Sequence, residues 1–158
     1  SAAATRIPPS PCTGSMNDRL PVLTFRLPDQ TYAIGIDHVV EVMAMVTVQT
    51  VAGALPEVLG MVNRHGAPML LLDMRRVLGK PITAPIDAST LFIVVNSGEQ
   101  HAGLVVDEIY QVDYLPSLSP APSGARFIAG IASDHDSMVQ VIAVRGLLAA
   151  YLPSQVEG

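Results

Sequence analysis

Four histidines, His38, His65, His101 and His135, are the side chains of this sequence best able to bind a metal or move a proton near neutrality. None lies in an H-x-x-x-H or H-E-x-x-H arrangement, the spacings that put two ligands on one helical face. Asp134-His135-Asp136 is the densest polar cluster, and with His101 or Asp107 it would supply the ligands of a small metal-dependent hydrolase. The flanking Ser133 and Ser137 give the same stretch the composition of a hairpin turn, since Asp and Ser favour turns for backbone reasons alone. No G-x-S-x-G, Walker-type or dinucleotide-binding glycine motif occurs. No catalytic residue, metal ligand or cofactor is therefore assigned.

Composition narrows the field further. The chain has 158 residues, 49% of them hydrophobic and 15% charged, so it is apolar enough to build a core at about the length of one domain. Fourteen acidic and nine basic side chains give a formal charge of -5, and the longest basic run is Arg75-Arg76, which argues against a nucleic-acid partner. A lone Cys12 cannot form an internal disulfide, which fits a reducing, cytoplasmic setting. No apolar run approaches the roughly 20 residues that span a bilayer, so direct membrane insertion is not expected. Residues 1–15 are small, Pro-rich and aperiodic, and read as a leader outside the fold, with residues 16–158 forming one domain. Three phenylalanines and four tyrosines are too few and scattered to suggest a ligand carrier, the remaining small-molecule alternative.

The elements that must position any site are short alternating runs separated by turn residues. Val22 to Leu27 and Tyr32 to Ile36 flank Pro28-Asp29-Gln30, as in a β-hairpin. Asp37 to Val42 could open with one helical turn, and Met45 to Val51 reads as a further strand. Met61-Val62 and Ala67 to Leu72 flank Asn63-Arg64-His65-Gly66, and Asp73 to Leu78 reads as a helical turn ended by Gly79. After an aperiodic connector from Lys80 to Ser89 the pattern restarts with Thr90 to Val95, His101 to Val106, Phe127 to Ala132 and Met138 to Ala143. Gly60 with Gly130, His65 with His135, Arg75 with Arg145 and Leu78 with Leu148 are all 70 positions apart, the mark of an internal duplication. Two halves of about five short strands suit small barrels better than sandwiches. The expected fold is mainly β, with two small five-stranded barrels packed side by side and short helices. The first barrel is expected over about 37–85 and the second over about 90–145, with returning terminal segments.

Tyr32-Ala33-Ile34 through Val39-x-Glu41-Val42, Gly60-x-x-Asn63 with Gly66, Pro68 to Asp73 with Arg75, Leu78-Gly79, and Gly103-Leu104-x-Val106-Asp107 together resemble the CheW family, from about Thr24 to Leu148. The resemblance implies a pair of SH3-like barrels in a non-catalytic cytoplasmic adaptor recruited to receptor arrays. Its implied partners are the cytoplasmic hairpin tip of a chemoreceptor and the regulatory domain of a CheA-type histidine kinase. Two departures stand out: His65 occupies the turn position where the family carries a receptor-associated arginine, and Gly146 interrupts the expected final helix.

Partner contact is expected from Ile36, Val39, Glu41, Gly60, Asn63, His65, Ile109 and Val112. Ile36, Val39, Ile109 and Val112 would line a groove between the barrels, or else serve simply as core. Val39 with Glu41 would pair an apolar contact with a register-setting charge. Gly60 would allow close backbone approach at the groove floor, and His65 would contact the partner from its turn.

Overall fold

Ten β-strands form in the computed structural model, which describes residues 19–82, 84–134 and 136–153. The strands are β1 (Leu20–Leu27), β2 (Gln30–Gly35), β3 (Val39–Ala44), β4 (Val58–Arg64), β5 (Ala67–Asp73), β6 (Leu91–Ser97), β7 (Gln100–Val105), β8 (Glu108–Leu115), β9 (Ile128–Asp134) and β10 (Ser137–Ile142). Helix α1 (Met74–Val77) follows β5 and helix α2 (Val144–Tyr151) follows β10. Residues 1–15, expected to be a leader, lie outside the described residues.

The strands make two five-stranded sheets, ordered β8-β1-β2-β10-β9 and β3-β6-β7-β5-β4. Advancing every strand number by five, and returning to one after ten, converts the first order into the second. Neither sheet closes through a continuous ladder. Instead the chain leaving the edge strand bends round to the opposite edge and makes one bridge, Gln49 to Met61 in one sheet and Ser119 to Ile131 in the other. Each bridge carries two backbone hydrogen bonds of 2.8 to 2.9 Å. The bridging residues are themselves 70 positions apart, so the duplication read from the sequence is also a duplication of topology and closure.

The barrel boundaries differ from expectation. The contiguous stretches 37–85 and 90–145 do not form separate units. Each sheet combines a hairpin from one half of the chain with three strands from the other, joined by the parallel pairs β2/β10 and β5/β7. Strand pairing at this sequence separation leaves no local signature, and burial explains why the exchange is favoured. Besides one apolar cluster inside each barrel, a third lies between them: Leu23, Phe25, Leu27, Tyr32 and Ile34 from one sheet pack with Leu72, Ile93, Val95 and Leu104 from the other. Met74, Val144, Leu147 and Leu148 from the helices complete it.

Three local expectations change as well. Asp37 to Val42 holds only a 3₁₀ turn at Ile36–His38 before β3 begins, as its β-branched valines favour. Met45 to Val51 is not a strand, because the chain there leaves β6 to cross toward β4. Helix α2 forms despite Gly146, since burial of Val144, Leu147 and Leu148 outweighs the roughly 1 kcal/mol propensity cost of one glycine.

Candidate functional site

β3 carries two of the expected contact residues, and a bulge separates them. In a regular strand Val39 and Glu41 would share a face, but the register shifts between them: Val39 pairs with Val95 and Glu41 with Val94. Val95 belongs to the core between the barrels and Val94 to the interior of one barrel. Residues opposite one another in an antiparallel pair project to the same face, so Val39 turns toward the central core and Glu41 toward the barrel interior. Val42, opposite Ile93, is brought back to the central side, where it is 41% exposed. β8 repeats the device: its register shift places Ile109 opposite Phe25 and Val112 opposite Leu23, both central-core residues. Val112 is half exposed.

The eight expected residues therefore fall into three groups. Ile36, Val39 and Ile109 are partly buried against the central core, and Val112 continues the same face to the surface. Glu41, Asn63 and His65 gather at one end of a barrel, where β3 meets the β4–β5 turn. Gly60 belongs to neither group and sits at the seam closing that barrel, facing Gln49.

The β4–β5 turn has positive φ at both His65 (54°) and Gly66 (85°), as a tight two-residue hairpin turn of type I′ requires. Asn63 Oδ1 accepts a hydrogen bond of 2.9 Å from the Gly66 backbone N–H, so this asparagine shapes the turn. His65 projects outward with 71% of its side chain exposed. The cation held against Glu41 is one residue earlier: Arg64 Nε and Nη2 each approach Glu41 Oε2 at 2.8 Å, while His65 Nε2 stands 3.3 Å from the same oxygen. Sequence reasoning passed over Arg64 because it sought an arginine at position 65. The signal was present in the guanidinium next to the gap.

The hydrogen bond from Arg64, with a smaller contribution from His65, holds the Glu41 carboxyl below its ordinary value of 4.5. A depressed carboxylate stabilises the fold fully above its unfolded value and ceases to do so as the pH falls through the folded one. A Glu41→Gln variant is thus expected to melt below the parent at pH 7, with the gap closing as the pH is lowered below 4.5. Thermal melts across that range provide the check, and a gap independent of pH would assign the stabilisation to something other than the ion pair.

A second charged cluster went unrecognised. Arg75 is 2% exposed, with Nε and Nη2 donating to the two oxygens of Asp73 at 3.1 and 3.3 Å and Nη1 donating to the Ala84 carbonyl at 2.6 Å. Asp107, on the β7–β8 connection, places Oδ1 3.4 Å from Arg75 Nη1 without a hydrogen bond, and Oδ2 3.8 Å from Arg26. The network ties α1 and the 80–90 connector to the second half of the chain. It has no counterpart 70 residues on, where Ala143 stands for Asp73 and Arg145 is exposed. A pocket of about 420 Å³ beside it is lined by Arg75, Asp87, Glu108 and Ile109.

Two of the residues named for the hydrolase alternative lie apart from each other, and the turn at its centre falls partly outside the described residues. Asp107 is committed to Arg75 and Arg26, and His101 lines a different pocket with Arg64 and Met69. Among the described residues no three His, Cys, Asp or Glu side chains form a metal-sized group, and His135 lies outside them. Among the same residues no helix is long and apolar enough to cross a membrane.

Comparison with known proteins agrees with this architecture. The family model described as "CheW-like domain" matches residues 21–151. The chemotaxis protein CheW of Klebsiella aerogenes is 26% identical over 135 residues, 81% of each chain. The crystal structure of the scaffolding protein TtCheW from Thermoanaerobacter tengcongensis superposes with a TM-score of 0.72 at 25% identity, covering 78% of this chain and 88% of that one. With paired five-stranded units sharing a central core and a family match over most of its length, the chain belongs to the CheW-like domain family.

Proposed function

We propose that this chain is a non-catalytic cytoplasmic adaptor of chemosensory signalling, joining a chemoreceptor's cytoplasmic hairpin tip to the regulatory domain of a CheA-type histidine kinase. The observation that carries this reading is the duplication. Two copies of one β unit are interlocked through a shared core, so their equivalent edge strands are held at a fixed separation and orientation. The two edges differ in chemistry. Beside β3, Val42 and Val46 are exposed, and residues 42–56 contain no charged side chain. Along β8, exposed Val112 is flanked by exposed Tyr110 and Tyr114, with Glu108 and Asp113 nearby. Two unlike docking edges on one rigid frame suit a protein that brings two different partners together.

Calorimetric titration against the kinase regulatory domain and a receptor hairpin fragment tests the reading, with Val42→Arg and Val112→Arg in parallel. Both side chains are exposed, so both variants are expected to fold. Each should weaken one partner on the order of tenfold or more and leave the other unchanged. A folded parent protein that binds neither partner would sink the adaptor reading.

A further inference from the structure

The two barrels share a frame but not a filling. Val94 pairs with Gly103 as Thr24 pairs with Ala33, and Val62 pairs with Met69 as Ala132 pairs with Val139, so the ladders enclose matching interiors. One interior is packed up to the backbone: a Cβ on Gly103 would lie 2.7 Å from Leu71 Cδ1 and 2.8 Å from Phe92 Cδ1. In the other barrel that glycine is the buried Ala33, with Val141 and Val22 standing for Leu71 and Phe92. Val139 likewise stands for Met69, Ala132 for Val62 and Asp113 for Met43, while Leu118 for Val48 adds back only a methylene. Shorter side chains on an unchanged frame leave space that a close-packed interior does not have. Thr24, Asp113 and Val139, three of the changed positions, line a pocket of about 510 Å³ together with Ile109 and Tyr110. A hollow of about 320 Å³ at Met69 in the first barrel is walled instead by the chain after α2, and neither Met43 nor Val94 lines it.

The lining is chemically one-sided. Asp113 pairs with Val22, a residue of the barrel interior, so its carboxylate lies on the inner face. Its Oδ1 accepts a hydrogen bond of 2.8 Å from the Tyr114 backbone N–H, and among the described residues it has no cationic partner. Among the same residues no lysine, arginine or histidine lines the pocket. The buried Thr24 hydroxyl is committed to the Gln111 carbonyl at 2.9 Å and shapes the wall. Ile109 and Val139 supply apolar surface, and Tyr110 an aromatic ring. We infer that this pocket binds a small organic cation, its ammonium group paired with Asp113 and its carbon skeleton lying against Ile109, Val139 and Tyr110. Its volume falls within the range of small-molecule sites, roughly 300–1,000 Å³. Such a site does not depend on the adaptor reading.

Amide chemical shifts of the isotope-labelled whole chain test it, followed as phenethylammonium, phenethyl alcohol or 3-phenylpropionate is added. These probes share a ring and a short chain and differ in charge. The ammonium probe is expected to give saturable shifts centred on Thr24, Asp113 and Val139, the alcohol to bind about tenfold more weakly, and the carboxylate not to bind. Asp113→Asn should reduce affinity for the ammonium probe to that for the alcohol. Val139→Met, which installs the residue of the other barrel, should abolish binding of both, with melting temperatures confirming that the variant is folded. Asp113 is only half-buried and its asparagine variant keeps the shape, so the charge test stands even where Val139→Met does not fold. Shifts that fail to saturate or centre elsewhere overturn the inference, as does equal affinity for the ammonium and alcohol probes. Undiminished binding by a folded Val139→Met overturns it too.

Discussion

Gly60→Ala is expected to destabilise the protein by about 2–5 kcal/mol, enough to unfold much of a domain of ordinary stability. Two independent effects converge at this residue. Its φ is 146°, in a region that side-chain-bearing residues rarely adopt. A Cβ built there would also overlap the Gln49 carbonyl oxygen and lie 2.9 Å from the Gln49 carbonyl carbon and Val48 Cγ1. The obstruction is backbone, and that backbone makes the bridge closing the barrel, so relief would require opening the seam. The cost should therefore appear in stability before it appears in partner binding. Gly130, its counterpart in the other barrel, provides the internal comparison. A Cβ there meets Leu118 Cβ at 2.9 Å and the Ser119 carbonyl oxygen at 3.0 Å. Gly130→Ala should be the milder of the two in urea denaturation. If Gly60→Ala melts with the parent, the seam does not depend on this glycine. A Gly60→Asp variant follows the same argument: it would report on folding, and cannot serve as a probe of a groove.

Arg75→Ala is expected to cost about 3–5 kcal/mol, while Arg145→Ala, its counterpart one repeat later, should be within about 0.5 kcal/mol of neutral. Removing the Arg75 guanidinium leaves Asp73 and Asp107 buried without their main cation, and an unpaired buried charge is far more costly than an intact pair is stabilising. Arg145 is exposed, so its loss strands nothing. Asp107→Asn should fall between the two. It removes one buried negative charge but keeps the shape, and the Oδ1 it replaces has no hydrogen bond to lose. Urea titrations of the three variants give the ranking directly. A near-neutral Arg75→Ala would show that the two carboxylates are not stranded in the core once the arginine is gone.

Strand content was legible wherever alternation was strong and turn residues punctuated it. Tyr32 to Ile36, Thr90 to Val95 and His101 to Val106 read as strands because their apolar and turn residues recur at short, local spacing, and β2, β6 and β7 lie there to within a few residues at each end. The helical turn after Asp73 was legible for a similar reason: the Asp73 carboxylate accepts from the Arg75 backbone N–H, a local capping contact. Less legible were the faces. Val39 and Glu41 look like neighbours on one side of a strand, and only the bulge between them sends one to the central core and the other to the barrel interior. The ion pair at Glu41 was half visible, since the glutamate was identified and its arginine was not. Which of two adjacent turn residues reaches across a barrel depends on where that barrel closes.

By itself the sequence determined that the protein is a β-rich folded domain, that it is internally duplicated at a spacing of 70 residues, and that it resembles the CheW family. These follow from composition, local alternation and repeated identities, which are properties of the chain written in order. The tertiary structure alone decided that the halves exchange hairpins, that Gly60 lies at a seam, and that Arg75 joins the first half of the chain to Asp107 in the second. Strand exchange is settled by which arrangement buries the central core, a free energy summed over residues far apart in sequence, and no local pattern encodes it.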